Sequence, residues 1–148
     1  MPFSHQHSHP LWPMRLALLL SISIIVPLGY WVRFAPTDEW AWLRDALGSV
    51  AYETFWILLI LLFWSQASIT QTALTVFAAT CALEVLQLWQ PPFLQALRAT
   101  LLGRLVLGNT FSWADFPAYA VGSFVGYGWA TLLRWVVKRL PSNKINRG

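Results

Sequence analysis

The sequence predicts an all-α membrane protein, with four transmembrane helices and an interfacial or re-entrant segment between the third and the fourth. Three observations predict it. The chain is 57% hydrophobic and only 11% charged, whereas a soluble domain typically carries about 25% charged residues. Its apolar residues gather into runs near the roughly 20 residues that a helix needs to cross a bilayer. Most of its ten tryptophans fall at the ends of those runs, and Trp and Tyr favour the membrane–water interfaces.

The first span comes from Leu16–Val32, 17 residues without a charge, and is placed near 14–32 between Trp12 and Trp31. Its basic start at Arg15 resembles a signal peptide. The run exceeds the usual apolar core, however, and Tyr30-Trp31-Val32-Arg33 lacks the small residues of a cleavage site, so the span is expected to be retained. Ala46–Trp89 is apolar apart from Glu53 and Glu84 and is too long for one helix. It breaks at the polar, chargeless stretch Ser65 to Thr72, giving spans near 46–64 and 72–90. Trp42, Trp64 and Trp89 flank these two. Phe116–Leu133 is free of charge over 18 residues and sets the fourth span near 115–136. Trp113 and Trp135 stand about 33 Å apart along a helix, close to one bilayer core. Trp56 and Trp129 lie inside spans and read as packing residues. Residues 1–13 read as a disordered tail, 14–137 as a single four-helix domain, and 138–148 as a basic tail.

Four spans put both termini on one side. That side holds Arg15, Arg134, Lys138, Arg139, Lys144 and Arg147 and no acid. All six acidic residues lie toward the other side, with Arg33, Arg44, Arg98 and Arg104. The positive-inside rule then places the termini in the cytoplasm and both long connections outside it, in the periplasm if the source is a bacterium with two membranes. The basic tail reads as a stop-transfer flank, and there is no soluble basic domain to bind nucleic acid. His5, His7 and His9 lack a carboxylate or thiol partner, so no metal or cofactor is expected. One cysteine, Cys81, cannot close an intramolecular disulfide.

The charges within the spans locate a candidate site. Glu53 and Glu84 each lie roughly 8–10 Å below the same interface at helical rise. Asp115 opens the fourth span on that side. Ionisable residues in spans are costly and face a partner within the protein, and Arg98 and Arg104, between Glu84 and Asp115, are the natural partners. Their connection begins at Pro91-Pro92, which ends a helix, and runs from Phe93 to Gly108. It is apolar enough to enter the bilayer and too charged to cross it. Ser112 or Asp115 is placed to cap the fourth helix. Thr80, Glu84 and Gln87 share one face of the third span. Asp115, Tyr119, Gly122 and Gly126 share one face of the fourth, and Gly122-x-x-x-Gly126 is a close-packing motif. If those two faces pack together, Glu84, Gln87, Asp115 and Tyr119 meet under Arg98 or Arg104.

Three readings of that cluster stand open. Its charges pin the connection to the bundle, or its arginines grip a phosphate or carboxylate headgroup, or its paired carboxylates carry out acid–base chemistry. No nucleophile motif, metal-ligand cluster or Gly-rich phosphate loop is present. A proton-coupled carrier would also use Glu53 and Glu84, but four spans without a repeat make a small carrier.

At these residues the chain resembles a known family. Cys81 to Leu88, carrying Glu84-x-x-Gln87, looks like the Glu-x-x-Gln motif of a bacterial membrane family, domain of unknown function 2809. Leu97 to Thr100, Leu107 to Phe111 and Asp115 to Gly122 look like its other motifs, and Arg44 to Gly48 is similar to its segment before the second span. The same pattern is distantly similar to VanZ-like proteins, a family linked to glycopeptide (teicoplanin) resistance, which carry Glu-x-x-Gln, then Arg, then Asp-x-x-x-Asn-x-x-Gly. Tyr119 stands here in place of that Asn. The resemblance implies Glu84, Gln87, Arg98, Asp115 and Gly122 as a shared core and implies no established reaction. The expectation is a membrane protein, with catalysis by its carboxylates or proton-coupled transport left open. Its polar cluster of Glu84, Gln87, Arg98, Arg104, Asp115 and Tyr119 binds a lipid headgroup or lipid-linked ligand. The alternative is a structural or assembly subunit. Membrane lipid is the expected partner, with a homo-oligomer and the part played by Glu53 left open.

Overall fold

A computed structural model describes residues 12–34, 40–108 and 110–139. The histidine tail and most of the basic tail lie outside the described residues. Those described form six helices: α1 (Trp12–Phe34), α2 (Ala41–Phe63), α3 (Ile69–Leu86), α4 (Pro92–Ala99), α5 (Leu101–Leu107) and α6 (Asp115–Arg139). There is no strand among them. Three helices are long and apolar enough to cross a membrane: α1 over Trp12–Val32, α2 and α3. With 25 residues, α6 is long enough as well, but three glycines, Ser123 and its Tyr and Trp residues make it less apolar.

Helix ends follow local chemistry more closely than apolar runs do. Helix α2 begins five residues before the apolar run, because Arg44 and Asp45 sit in its first turns and helix formation tolerates charge where lipid does not. Helix α3 starts where Ser68 caps it, its hydroxyl accepting from the Gln71 N–H at 3.4 Å, as N-cap serines do. It ends at Leu86, and a tightened turn follows in which Gln87, Leu88 and Trp89 each donate to the carbonyl three residues back. The connection is two short helices rather than one. Thr100, in an extended conformation (ψ 153°), breaks them apart and caps α5 through the Gly103 N–H at 3.0 Å.

Helices α2 and α6 run parallel and pack along their length. Ser49 meets Asp115, Thr54 Oγ1 donates to the Gly122 carbonyl at 3.2 Å, and Arg134 donates to the carbonyls of Ser65 and Ala67 at 3.1 and 2.9 Å. Helices α1 and α3 flank this pair, each touching both α2 and α6, and do not touch each other among the described residues. Trp129 Nε1 donates to Ser21 Oγ on α1 at 2.9 Å. Leu18, Ile57, Leu58, Leu61 and Ala130 are fully buried, and Met14, Ile69, Ala73 and Val76 join them. This core fills the half of the bundle that holds Arg134, whereas the acids occupy the other half.

The glycine face of α6 therefore meets α2, where the expectation was α3. A Cβ on Gly122 would stand 2.6 Å from Glu53 Cβ and 2.9 Å from the Val50 carbonyl oxygen, and one on Gly126 would stand 2.8 Å from Ile57 Cδ1. Lipid is as apolar as a leucine side chain, so helices in a bilayer associate through such close packing and through interhelical hydrogen bonds. Gly122→Ala is expected to destabilise the bundle by about 1–3 kcal/mol, since the obstacle is backbone and a helix-bound Cβ. Gly126→Ala should cost less, because the Ile57 tip can turn. Gly128→Ala, with nothing within 4 Å of the added Cβ, should be neutral or stabilising by up to about 1 kcal/mol. Unfolding of the three variants in mixed micelles, followed by circular dichroism, checks the order.

Candidate functional site

Glu84 lies in the last turn of α3 and is 1% exposed. Its Oε1 accepts from the Ser112 backbone N–H at 2.7 Å. Its Oε2 accepts from Gln87 Nε2 at 3.0 Å and from the Tyr119 hydroxyl at 3.1 Å. A carboxylate offers about four acceptor positions, so three are committed to the protein. The spacing explains the local fit: Gln87 lies three residues on and reaches back along one helix face, and Tyr119 lies one turn into α6. Gly108 seats the amide. Its backbone (φ 65°, ψ 179°) occupies a region open essentially to glycine, and a Cβ there would stand 2.4 Å from Gln87 Nε2.

Arg98 does something other than expected. It is 7% exposed, and its guanidinium donates to the carbonyls of Leu86 and Trp89 at 3.0 and 3.2 Å. Those carbonyls are at and just beyond the C-terminus of α3, the negative end of the helix dipole, where a cation is favoured. Among the described residues neither Arg98 nor Arg104 pairs with Glu84 or Asp115. The physical reason is reach: the Arg98 side chain returns from α4 to the carbonyls of Leu86 and Trp89, while Glu84 is held by Gln87, Ser112 and Tyr119. Arg98 Nε and Gln87 Oε1 are buried without a hydrogen-bond partner. Arg104 is exposed, in the last turn of α5.

Asp115 joins a different partner. It opens α6 and accepts from Ser49 Oγ on α2 at 2.8 Å, while the Ser112 carbonyl receives the Asp115 N–H at 3.2 Å. Glu53 is fully buried farther along α2 and accepts from Ser123 Oγ at 2.7 Å. Tyr52 donates to the Val106 carbonyl at 3.0 Å, fastening α5 to α2. The expected cluster is thus three separate attachments. Glu84, Gln87 and Tyr119 meet. Asp115 and Glu53 each take a serine, and Arg98 and Arg104 face elsewhere.

Sequence reasoning missed Ser49 and Ser123 as donors, and Ser112 as a backbone donor. Single serines on helices carry no periodic signal, and Ser112 signalled only a possible cap. Two open grooves, of about 170 and 190 Å³, lie at the opposite end of the bundle, near Gln71 and Thr75 and near Arg134 and Trp135. Among the described residues no three His, Cys, Asp or Glu side chains gather to hold a metal ion.

These features define a helical bundle with membrane-compatible helices and a buried polar node at one end. A family model described as "Protein of unknown function (DUF2809)" matches residues 39–123, more than half of the chain, and the chain belongs to that family. The matched region runs from just before α2 to Ser123, so it contains all three attachments. No curated protein and no solved structure matches the chain.

Two substitutions grade the node. Tyr119→Phe removes one donor and is expected to cost about 1 kcal/mol, the scale of an interhelical hydrogen bond in a membrane. Gly108→Ala is expected to cost about 1–3 kcal/mol, because the strained backbone and the displaced Gln87 act together. Unfolding midpoints in mixed micelles measure both, and equal midpoints for Gly108→Ala and wild type would refute the account of Gly108.

Proposed function

We propose that the protein is a four-span structural component of a membrane, in which the polar cluster fixes the fold rather than receiving a ligand. The observation that carries this is Glu84: almost wholly buried, with three donors from three parts of the chain on one carboxylate. A headgroup site needs a cation turned toward solvent or lipid, and Arg98 is instead spent on carbonyls. A catalytic dyad needs two carboxyls on one substrate, and Glu84, Asp115 and Glu53 each hold their own partner. The fourth span is α6. It lies beside α2 from Ser49 to Ser65, so a bilayer that α2 crosses is one that α6 crosses too. Helices α4 and α5 then lie at the interface, with Phe93, Leu97, Leu101, Leu102 and Leu105 exposed to lipid.

We take the membrane to be a bacterial inner membrane, and the charge partition supports cytoplasmic termini. The end of the bundle that bears Arg15, Arg134, Lys138 and Arg139 holds no acid among the described residues, and the other holds Asp45, Glu53, Glu84 and Asp115. One observation favours a second reading. Arg104 is exposed beside the leucines of α5, a position suited to a phosphate headgroup.

Thermal melts separate the two. Under the scaffold reading Glu84→Gln turns an acceptor into an amide facing donors, and Arg98→Ala uncaps α3, so both melt well below wild type. Arg104→Ala melts like wild type and, in native mass spectrometry, retains the same lipids. A folded Arg104→Ala that loses one lipid class, alongside stable Glu84→Gln and Arg98→Ala variants, would replace the scaffold by a headgroup receptor.

A further inference from the structure

Glu53 stands apart from the Glu84 node, the observation that carries the scaffold reading. It lies near the middle of α2 and is 0% exposed. Its Cβ and Cγ press against Gly122 of α6. Oε1 accepts from Ser123 Oγ at 2.7 Å, whereas Oε2 is buried and has no hydrogen-bond partner. Thr80 of α3 stands near the carboxyl without bonding Oε2. Its hydroxyl proton is turned to its own helix, toward the carbonyls of Val76 and Phe77 at 3.1 and 3.0 Å.

The titratable groups around Glu53 are Tyr52 on α2 and Cys81 on α3, and Cys81 also faces Glu84. On α6 its neighbours are Ser123 and Gly122. None of these is a cation, and among the described residues Glu53 makes no ion pair. An ionised carboxylate so placed would be a lone charge in low dielectric with one oxygen bare, a burden of several kcal/mol. The neutral acid removes the lone charge. Oε1 remains the acceptor for Ser123. The proton sits on Oε2, the oxygen that has no donor to accept from.

We propose that Glu53 is a proton-binding site, its carboxyl held as the neutral acid at neutral pH in the seam between α2, α3 and α6. The ligand is the proton itself, carried on Oε2. Parting of the seam exposes the carboxyl to water and releases that proton, so its occupancy is coupled to helix packing at Gly122. The proposal is independent of the scaffold reading, which rests on Glu84.

Infrared difference spectroscopy on the full chain in lipid nanodiscs at neutral pH tests it. The wild type should show a carboxylic C=O stretch that is lost in Glu53→Gln. The same stretch should move to higher wavenumber in Ser123→Ala, where Oε1 loses its donor. Loss of a carboxylate stretch instead, or no loss of an acid band, overturns the proposal. Should Glu53→Gln fail to fold, Ser123→Ala decides alone: a shifted acid band supports the site, and an absent or unmoved one refutes it.

Discussion

A carboxylate leaves water only if donors replace the water it gives up, and Glu84 meets that demand from three places at once. Gln87 comes from the same helix, Ser112 lies 28 residues on and Tyr119 lies 35 residues on. The intervening chain must therefore return to the end of α3 before α6 can begin. This constraint shapes the rest of that end of the molecule. Arg98 reaches back from α4 to the carbonyls of Leu86 and Trp89, which end α3 and begin the return. Gly108 takes a backbone conformation reserved for glycine because the Gln87 amide occupies the space that any side chain would fill. Ser112 contributes its N–H because the chain passes Glu84 on its way into α6.

The rest of the bundle answers to a second demand, close approach of α2 and α6. Burial of leucine against leucine gains little over leucine against lipid, so specific contacts decide which helices pair. Gly122 and Gly126 bring α6 within reach of the α2 backbone, and Ser49, Thr54, Ser123 and Arg134 add hydrogen bonds along the seam. The two demands reinforce each other. Tyr119 lies one turn before Gly122, so seating the glycines on α2 also aims the tyrosine at Glu84.

Much of the architecture was legible in the sequence. The apolar runs marked α1, α2 and α3, Pro91-Pro92 marked the break after α3, and the 3.6-residue spacing put Gln87 beside Glu84. Tyr119 meets Glu84, although its helix seats its glycine face on α2 rather than on α3. Partner choice was not legible. Arg98 was matched to acids because opposite charges attract over any sequence distance, yet the geometry of α4 offered it helix-end carbonyls first. The glycines of α6 mark a face for close packing, but nothing in Gly-x-x-x-Gly says which neighbour will use it. Ser49 and Ser123 belong to no pattern, since a single hydroxyl acquires meaning only once tertiary structure sets a carboxylate opposite it.

The order in which these groups are made carries its own consequence. Glu53 and Glu84 are synthesised before all of their donors: Gln87 follows Glu84 closely, and Ser112, Tyr119 and Ser123 come much later. A nascent chain that has reached the connection after α3 thus holds a helical hairpin in which Glu53 has no donor and Glu84 has Gln87 alone, which disfavours its release into lipid. Emergence of α6 supplies the missing hydrogen bonds and the glycine seam together. Biogenesis of this bundle is accordingly back-loaded: the last helix commits the earlier ones, and membrane quality control would find its natural checkpoint there.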